Sequence, residues 1–145
     1  LYVHGNHDDK YSMNPPEGCT CIEDEVYEYE GVRFVGLGGS NRYKPGKNQY
    51  TEKQMTHRVK KLKWKIWRKK GFDILVTHSP ARGLNDGEDM CHKGFEIFNK
   101  LIEEYKPKYF VHGHVHMCYG RNYKRIDHVG DTTVINAYEK YILEL

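Results

Sequence analysis

The chain has 145 residues, 38% of them hydrophobic, 30% charged and 13% aromatic, which is the size and make-up of one ordinary globular domain. With 14 Gly and 5 Pro it is neither collagen-like nor low-complexity, and no run of 18 apolar residues offers a membrane-spanning helix. The formal charge of +3 is local: eight of the 23 basic residues fall between Arg58 and Lys70 with no acid among them, leaving 15 basic against 20 acidic residues elsewhere.

Leu1 to His4 reads as the end of a strand, broken by Gly5-Asn6 into a polar loop that contains Asn14-Pro15-Pro16. The chain opens on Leu1 rather than Met, as if in mid-strand, so an N-terminally truncated domain is expected. Val26–Tyr29 and Val32–Leu37 flank Glu30-Gly31 and predict a hairpin. The Gly- and Asn-rich stretch up to Asn48 predicts a loop.

Thr51 to Lys70 predicts an amphipathic helix with Met55, Val59, Leu62, Ile66 and Trp67 on its apolar side, Trp64 widening that face, and Gly71 ending it. Phe72 to Thr77 predicts a strand buried on both faces. A second helix is expected from Cys91 to Tyr105, with Phe95, Phe98, Leu101 and Ile102 inward. Tyr109–Val111 predicts a further strand, and others are expected near Met117–Tyr119, Tyr123–His128, Thr132–Asn136 and Tyr141–Leu145. Four cysteines make no zinc framework: Cys19 and Cys21 form C-x-C, while Cys91 and Cys118 stand alone. Without a visible secretory signal, reduced thiols and a cytoplasmic setting are expected, with no membrane association.

Three polar clusters each follow an apolar strand: Gly5-Asn6-His7-Asp8, Thr77-His78-Ser79 and Gly113-His114-Val115-His116. In α/β folds, loops at the carboxyl ends of strands converge on one crevice. Neutral imidazoles and an amide oxygen are good ligands for borderline metal ions, so the pattern points to a strand-end metal site.

In order and spacing, the three clusters resemble the third, fourth and fifth motifs of the calcineurin-like metallophosphoesterases. Gly38-Gly39-Ser40-Asn41-Arg42-Tyr43 and the stretch 112–120 are similar to its small bacterial phosphodiesterase branch. The resemblance implies an α/β fold, a β-sandwich flanked by helices of the metallo-dependent phosphatase type, with residues 1–145 as a partial domain. It also implies phosphoester hydrolysis, of diesters or monoesters, by a dinuclear centre of manganese, iron or zinc, manganese being favoured. In that scheme Asn6, His78 and His114 bind one ion and His116 the other, while His7 protonates the leaving group and Asp8 orients its ring. The substrate expected is a phosphorylated small molecule or nucleotide. The family's first two motifs, which supply the bridging aspartate, precede Gly5-Asn6-His7-Asp8, so the 145 residues alone are expected to be inactive.

Arg42 and His92 are candidates to meet substrate phosphate at the mouth of the site. His4 and His112 are expected to be structural, His57 and His128 to lie on the surface, and Cys118 to be a small core residue. The alternative is a non-catalytic binding module, with a degenerate metal site or with the basic helix docking on nucleic acid, although a solvated helix face is the favoured reading of that run.

Overall fold

A computed structural model describes residues 1–10, 13–118 and 123–145. Strands β1 (Val26–Tyr29) and β2 (Val32–Leu37) form the expected hairpin. Its turn residues Glu30 and Gly31 both have positive φ, 49° and 80°, the twist that a two-residue hairpin turn needs. The Gly- and Asn-rich stretch that follows is not wholly loop: β3 (Ser40–Asn41) and β4 (Gln49–Tyr50) pair in parallel as a short ribbon. Two-residue strands leave no periodicity for a sequence to reveal.

Helix α1 (Glu52–Arg68) begins at a capping box. The Thr51 hydroxyl accepts from the Gln54 amide at 3.3 Å, and the Gln54 side chain accepts from the Thr51 amide at 2.9 Å. Thr51→Ala is expected to cost about 1 kcal/mol and to lower the melting temperature by roughly 2–4 °C, readable by calorimetry. Met55, Val59, Leu62 and Ile66 lie on one stripe and are buried. Trp64 and Trp67 are 59% and 74% exposed, so the widened apolar face is not formed. Each sits about 100° or more around the helix from that stripe, and the Arg68 guanidinium stacks 4.7 Å from the Trp64 ring centroid.

The basic run on α1 meets acids brought to it by other segments. Arg58 pairs with Glu23 and Asp24, Lys63 with Glu104, Lys65 with Glu25, and Lys69 with Glu28. Half of the positive run is thereby compensated laterally, which a count along the sequence cannot show.

Strands β5 (Ile74–Thr77) and β6 (Tyr109–His112) flank helix α2 (Glu96–Tyr105), and β7 (Ile126–Val129) and β8 (Thr132–Asn136) close the described chain as an antiparallel pair. Helix α2 starts five residues later than expected. An added Cβ on Gly94 would lie 2.4 Å from the Ala81 carbonyl carbon, and Phe95 bridges to Ala81 in extended backbone. The Glu52 carboxylate on α1 then caps α2, accepting from the amides of Glu96 and Ile97 at 3.1 and 2.9 Å. Met117 and Cys118 lie in a turn, residues 141–145 form no strand, and Tyr119 falls outside the described residues.

The six-stranded sheet runs β1-β2-β5-β6-β8-β7, with β2, β5, β6 and β8 parallel. The crossovers through α1 and α2 step the same way across it, so right-handed connections lay both helices on one face. They bury Val35, Leu37, Leu75, Phe110 and Val134 of the sheet against Met55, Leu62, Phe98 and Leu101. This is the expected α/β architecture with a helix-flanked sheet. Its consequence for function is geometric: the carboxyl ends of β5, β6 and β8 share one edge, where His78, Gly113-His114 and Tyr138 emerge.

Candidate functional site

At that edge lies a cleft of about 490 Å³ lined by Asn6, His7, Asp8, His78, His92, His114 and His116, with Cys91 and Tyr138 among the other walls. Six of the eight residues expected to act at a site are thus joined by His92, and only Arg42 stands apart.

Gly5 through Asp8 form a tight turn closed twice: the Asp8 amide donates to the Gly5 carbonyl at 3.2 Å, and Asp8 Oδ2 accepts from the Gly5 amide at 2.6 Å. A Cβ on Gly5 would sit 3.0 Å from His78 Cε1, so glycine lets this turn press against the β5 loop. Asn6 is buried beneath it. Its Nδ2 donates to the Tyr43 hydroxyl at 3.1 Å, which fixes Oδ1 as the atom facing His78 Nε2 at 2.9 Å. Asp8 spends its carboxylate on Gly5, and no hydrogen bond joins it to His7 among the described residues.

His114 has φ of 64°, a left-handed backbone uncommon outside glycine, on a turn where the Val115 amide donates to the Gly113 carbonyl at 2.7 Å. Its Nε2 lies 2.7 Å from the Cys91 carbonyl. A carbonyl only accepts, so Nε2 carries the proton and the lone pair of the neutral ring sits on Nδ1. The His114 ring centroid stands 4.7 Å from that of His78 and 5.2 Å from that of His92. His116 is exposed and stacks on Tyr138 at 4.7 Å, and the Tyr138 phenol is pushed up to about 12, first by its hydrogen bond to Cys118. Cys118 is exposed, not a core residue.

Burial holds His78 down to about 3, with further lowering from the neighbouring His114, His7, His112 and His116. The same desolvation lowers His114. His112 is buried at the end of β6 and is lowered to about 4 by burial. Its Nδ1 donates to the Gly113 carbonyl at 3.1 Å, the structural role expected of it, as is the Nδ1 contact of His4 to Glu23 at 3.4 Å.

These imidazoles make folding sensitive to acid. In the unfolded chain they titrate near the ordinary 6.5, so below that pH the unfolded state takes up protons that the folded state refuses. Stability is therefore expected to fall as pH drops from about 6.5 towards 4, by up to about 1.4 kcal/mol per pH unit for each buried histidine. In chelator, the urea midpoint at pH 5 should lie well below that at pH 7; equal midpoints would contradict the burial of neutral rings.

The donor set fits a metal ion. Two donors at right angles on one ion, each about 2.1 Å from it, lie roughly 3 Å apart. Asn6 Oδ1 and His78 Nε2 stand at 2.9 Å, joined here by a hydrogen bond that Nε2 donates, and an ion at this place would take the other tautomer of the ring, with its lone pair on Nε2. Both rings are half-buried and stay neutral, as ligands must.

Arg42 points elsewhere. It lines an adjoining depression of about 400 Å³ with Asp9 and Lys47, reached past Asp8, and its guanidinium donates to Gln54 Oε1 at 3.1 Å. No local pattern in the sequence marks Tyr43, Cys91 or Tyr138 as site residues. Tyr43 ends the Gly38–Tyr43 stretch, but its contact to Asn6 spans 37 residues and leaves no local signal.

Residues 1–118 match the family described as calcineurin-like phosphoesterase. A UPF0046 protein of Caenorhabditis elegans is 30% identical over 82% of this chain and 41% of its own length. The uncharacterized protein MJ1162 of Methanocaldococcus jannaschii is 30% identical over 97% of this chain and 64% of its own. The chain thus spans about two fifths to two thirds of the length of these relatives. Among solved structures, that of TT1561 of Thermus thermophilus superposes with a TM-score of 0.53 at 14% identity, over 81% of this chain and 49% of that one, a likeness of fold.

Proposed function

The chain belongs to the calcineurin-like phosphoesterase family, and from that premise we propose that the protein hydrolyses phosphoesters, phosphodiesters before phosphoproteins, at a dinuclear metal centre. The observation that supports this reading most is the meeting of Asn6 Oδ1 and His78 Nε2 at 2.9 Å beside the His114 ring. In this reading Asn6, His78 and His114 hold one divalent cation, manganese by preference, and His116 belongs to a second. Two complete coordination spheres need donors beyond these four residues. When bound, the ions supply Lewis acidity towards the phosphoryl oxygens and a nucleophile at neutral pH.

The chain's own residues do the rest. His7, exposed on the cleft wall, protonates the departing oxygen. Asp8 acts one step back, locking the turn that presents His7. His92 faces the substrate from within the cleft, while Arg42 meets only the far end of a longer anionic substrate, such as a nucleotide. No helix of the described chain is long and apolar enough to cross a membrane, and the setting proposed is cytoplasmic.

The test is a chromogenic phosphodiester assay of the full-length protein with manganese, with metal content measured in parallel. His78→Ala is expected to lose both metal and turnover; wild-type turnover in that variant would overturn the reading.

A further inference from the structure

The outward face of α1 takes no part in the cleft. Arg58, Lys63, Lys65 and Lys69 are paired with acids on either side of the helix, whereas Lys60, Lys61 and Arg68 are exposed and meet no acidic side chain among the described residues. We propose that this face docks a single-stranded nucleic acid, with its cations on the phosphates and its indoles against the bases. The docking does not depend on the phosphoesterase reading.

At about 100° per residue, Lys53, Lys60, Lys61, Trp64, Trp67 and Arg68 fall within roughly a 120° arc, opposite the buried stripe of Met55, Val59, Leu62 and Ile66. All six are exposed, and the arc holds no acid. Trp64 and Trp67 stand one turn apart, so both rings face the same side of the helix. The Arg68 guanidinium lies 4.7 Å from the Trp64 ring centroid, a stacked cationic plane on which a base can stack in turn. Beside this stack is a depression of about 480 Å³, walled also by Val26, Lys65 and Lys69. Lys65 and Lys69 hold Glu25 and Glu28 only in exposed ion pairs, which are weak, so their ammonium groups can turn to a phosphate.

A single strand suits this face better than a bilayer or a duplex. An interfacial helix sinks a face of Trp, Phe and Leu into the lipid boundary, and this arc has two indoles and no aliphatic residue. A duplex keeps its base faces to itself, whereas an unstacked strand offers them to aromatic rings and guanidinium planes. The helix also begins beside the Arg42 depression, where Gln54 Oε1 accepts from the Arg42 guanidinium at 3.1 Å. A strand laid along α1 therefore leads to the edge of the cleft.

The experiment follows the fluorescence anisotropy of a labelled oligothymidylate titrated with the full-length protein in chelator, where no metal-dependent hydrolysis intervenes. Binding is expected, with a log–log salt slope of about −3 for contacts from Lys53, Lys60, Lys61 and Arg68. Trp64→Ala and Trp67→Ala should each weaken binding about tenfold. Lys60→Ala with Lys61→Ala should weaken it and roughly halve the salt slope. These side chains are exposed, so the variants should keep the wild-type urea midpoint. Lys124→Glu, beside β7 at the far edge of the sheet, should leave binding within about twofold. No binding in the wild type at low salt, tryptophan variants that bind like the wild type, or a loss in Lys124→Glu equal to that of the lysine pair would each overturn the proposal. So would tighter binding to phosphatidylserine vesicles than to the oligonucleotide, which would give the face to a bilayer.

Discussion

Replacing His7 by Ala is expected to lower kcat about 10²–10⁴-fold while leaving metal content unchanged. His7 sits in the same turn as Asn6, yet the two side chains face different surroundings. Asn6 is buried against His78 and Tyr43, whereas the His7 imidazole is exposed on the cleft wall. A ring so placed can swing over a leaving oxygen and be reprotonated by solvent after each turnover. The role has a signature that lost folding or lost metal would not mimic. A substrate whose leaving group is already stable as an anion has little need of a proton, so the deficit should shrink for a nitrophenyl ester and be largest for an alkyl ester. Equal losses on both substrates, or loss of metal together with activity, would remove His7 from the role of general acid.

The way this site was legible follows from how the fold delivers it. His78 and His114 were readable because they follow the apolar runs of β5 and β6, and parallel strands bring such ends to one edge. The strand end expected at Leu1–His4 is only a single bridge from Tyr2 to Cys21, so Asn6 reaches the cleft on a turn. Helix α1 was readable because its apolar stripe, its capping threonine and its terminating glycine all agree. Three features were not. The start of α2 is set by the close packing of Gly94 on Ala81, a contact that only the folded chain creates. Trp64 and Trp67 are apolar residues left on the surface, which periodicity alone assigns inward. Asp8 next to His7 suggested a partner, but its carboxylate accepts from the Gly5 amide and closes the turn itself. The basic run on α1 shows the same limit in electrostatics, since Glu23, Glu25, Glu28 and Glu104 meet it from elsewhere.

Arg58→Leu is expected to be the most damaging single change outside the cleft, destabilising by about 3–5 kcal/mol. Arg58 is mostly buried: its guanidinium pairs with Glu23 and Asp24, donates to the Gly38 carbonyl at 2.9 Å and lies 4.4 Å from the Tyr50 ring centroid. Glu23 is itself a junction. Its Oε2 accepts from the His4 amide at 3.1 Å and its Oε1 from the Gly38 amide at 3.0 Å. Removing the arginine leaves that partly buried carboxylate without its cation, and the penalty is the uncompensated charge more than the lost attraction. The damage should reach the cleft, because Glu23 holds the backbone of His4, directly ahead of the Gly5–Asp8 turn. Two readouts separate these effects: the urea midpoint should fall, and metal retention at a permissive temperature should weaken although Arg58 touches no donor. Arg58→Lys should restore part of the charge balance but not the contacts made together to two carboxylates and a carbonyl, so an intermediate midpoint is expected. Adding Glu23→Gln to Arg58→Leu should recover some of the loss, since the orphaned charge is then gone. A double variant no more stable than Arg58→Leu would place the cost in packing against Tyr50 instead.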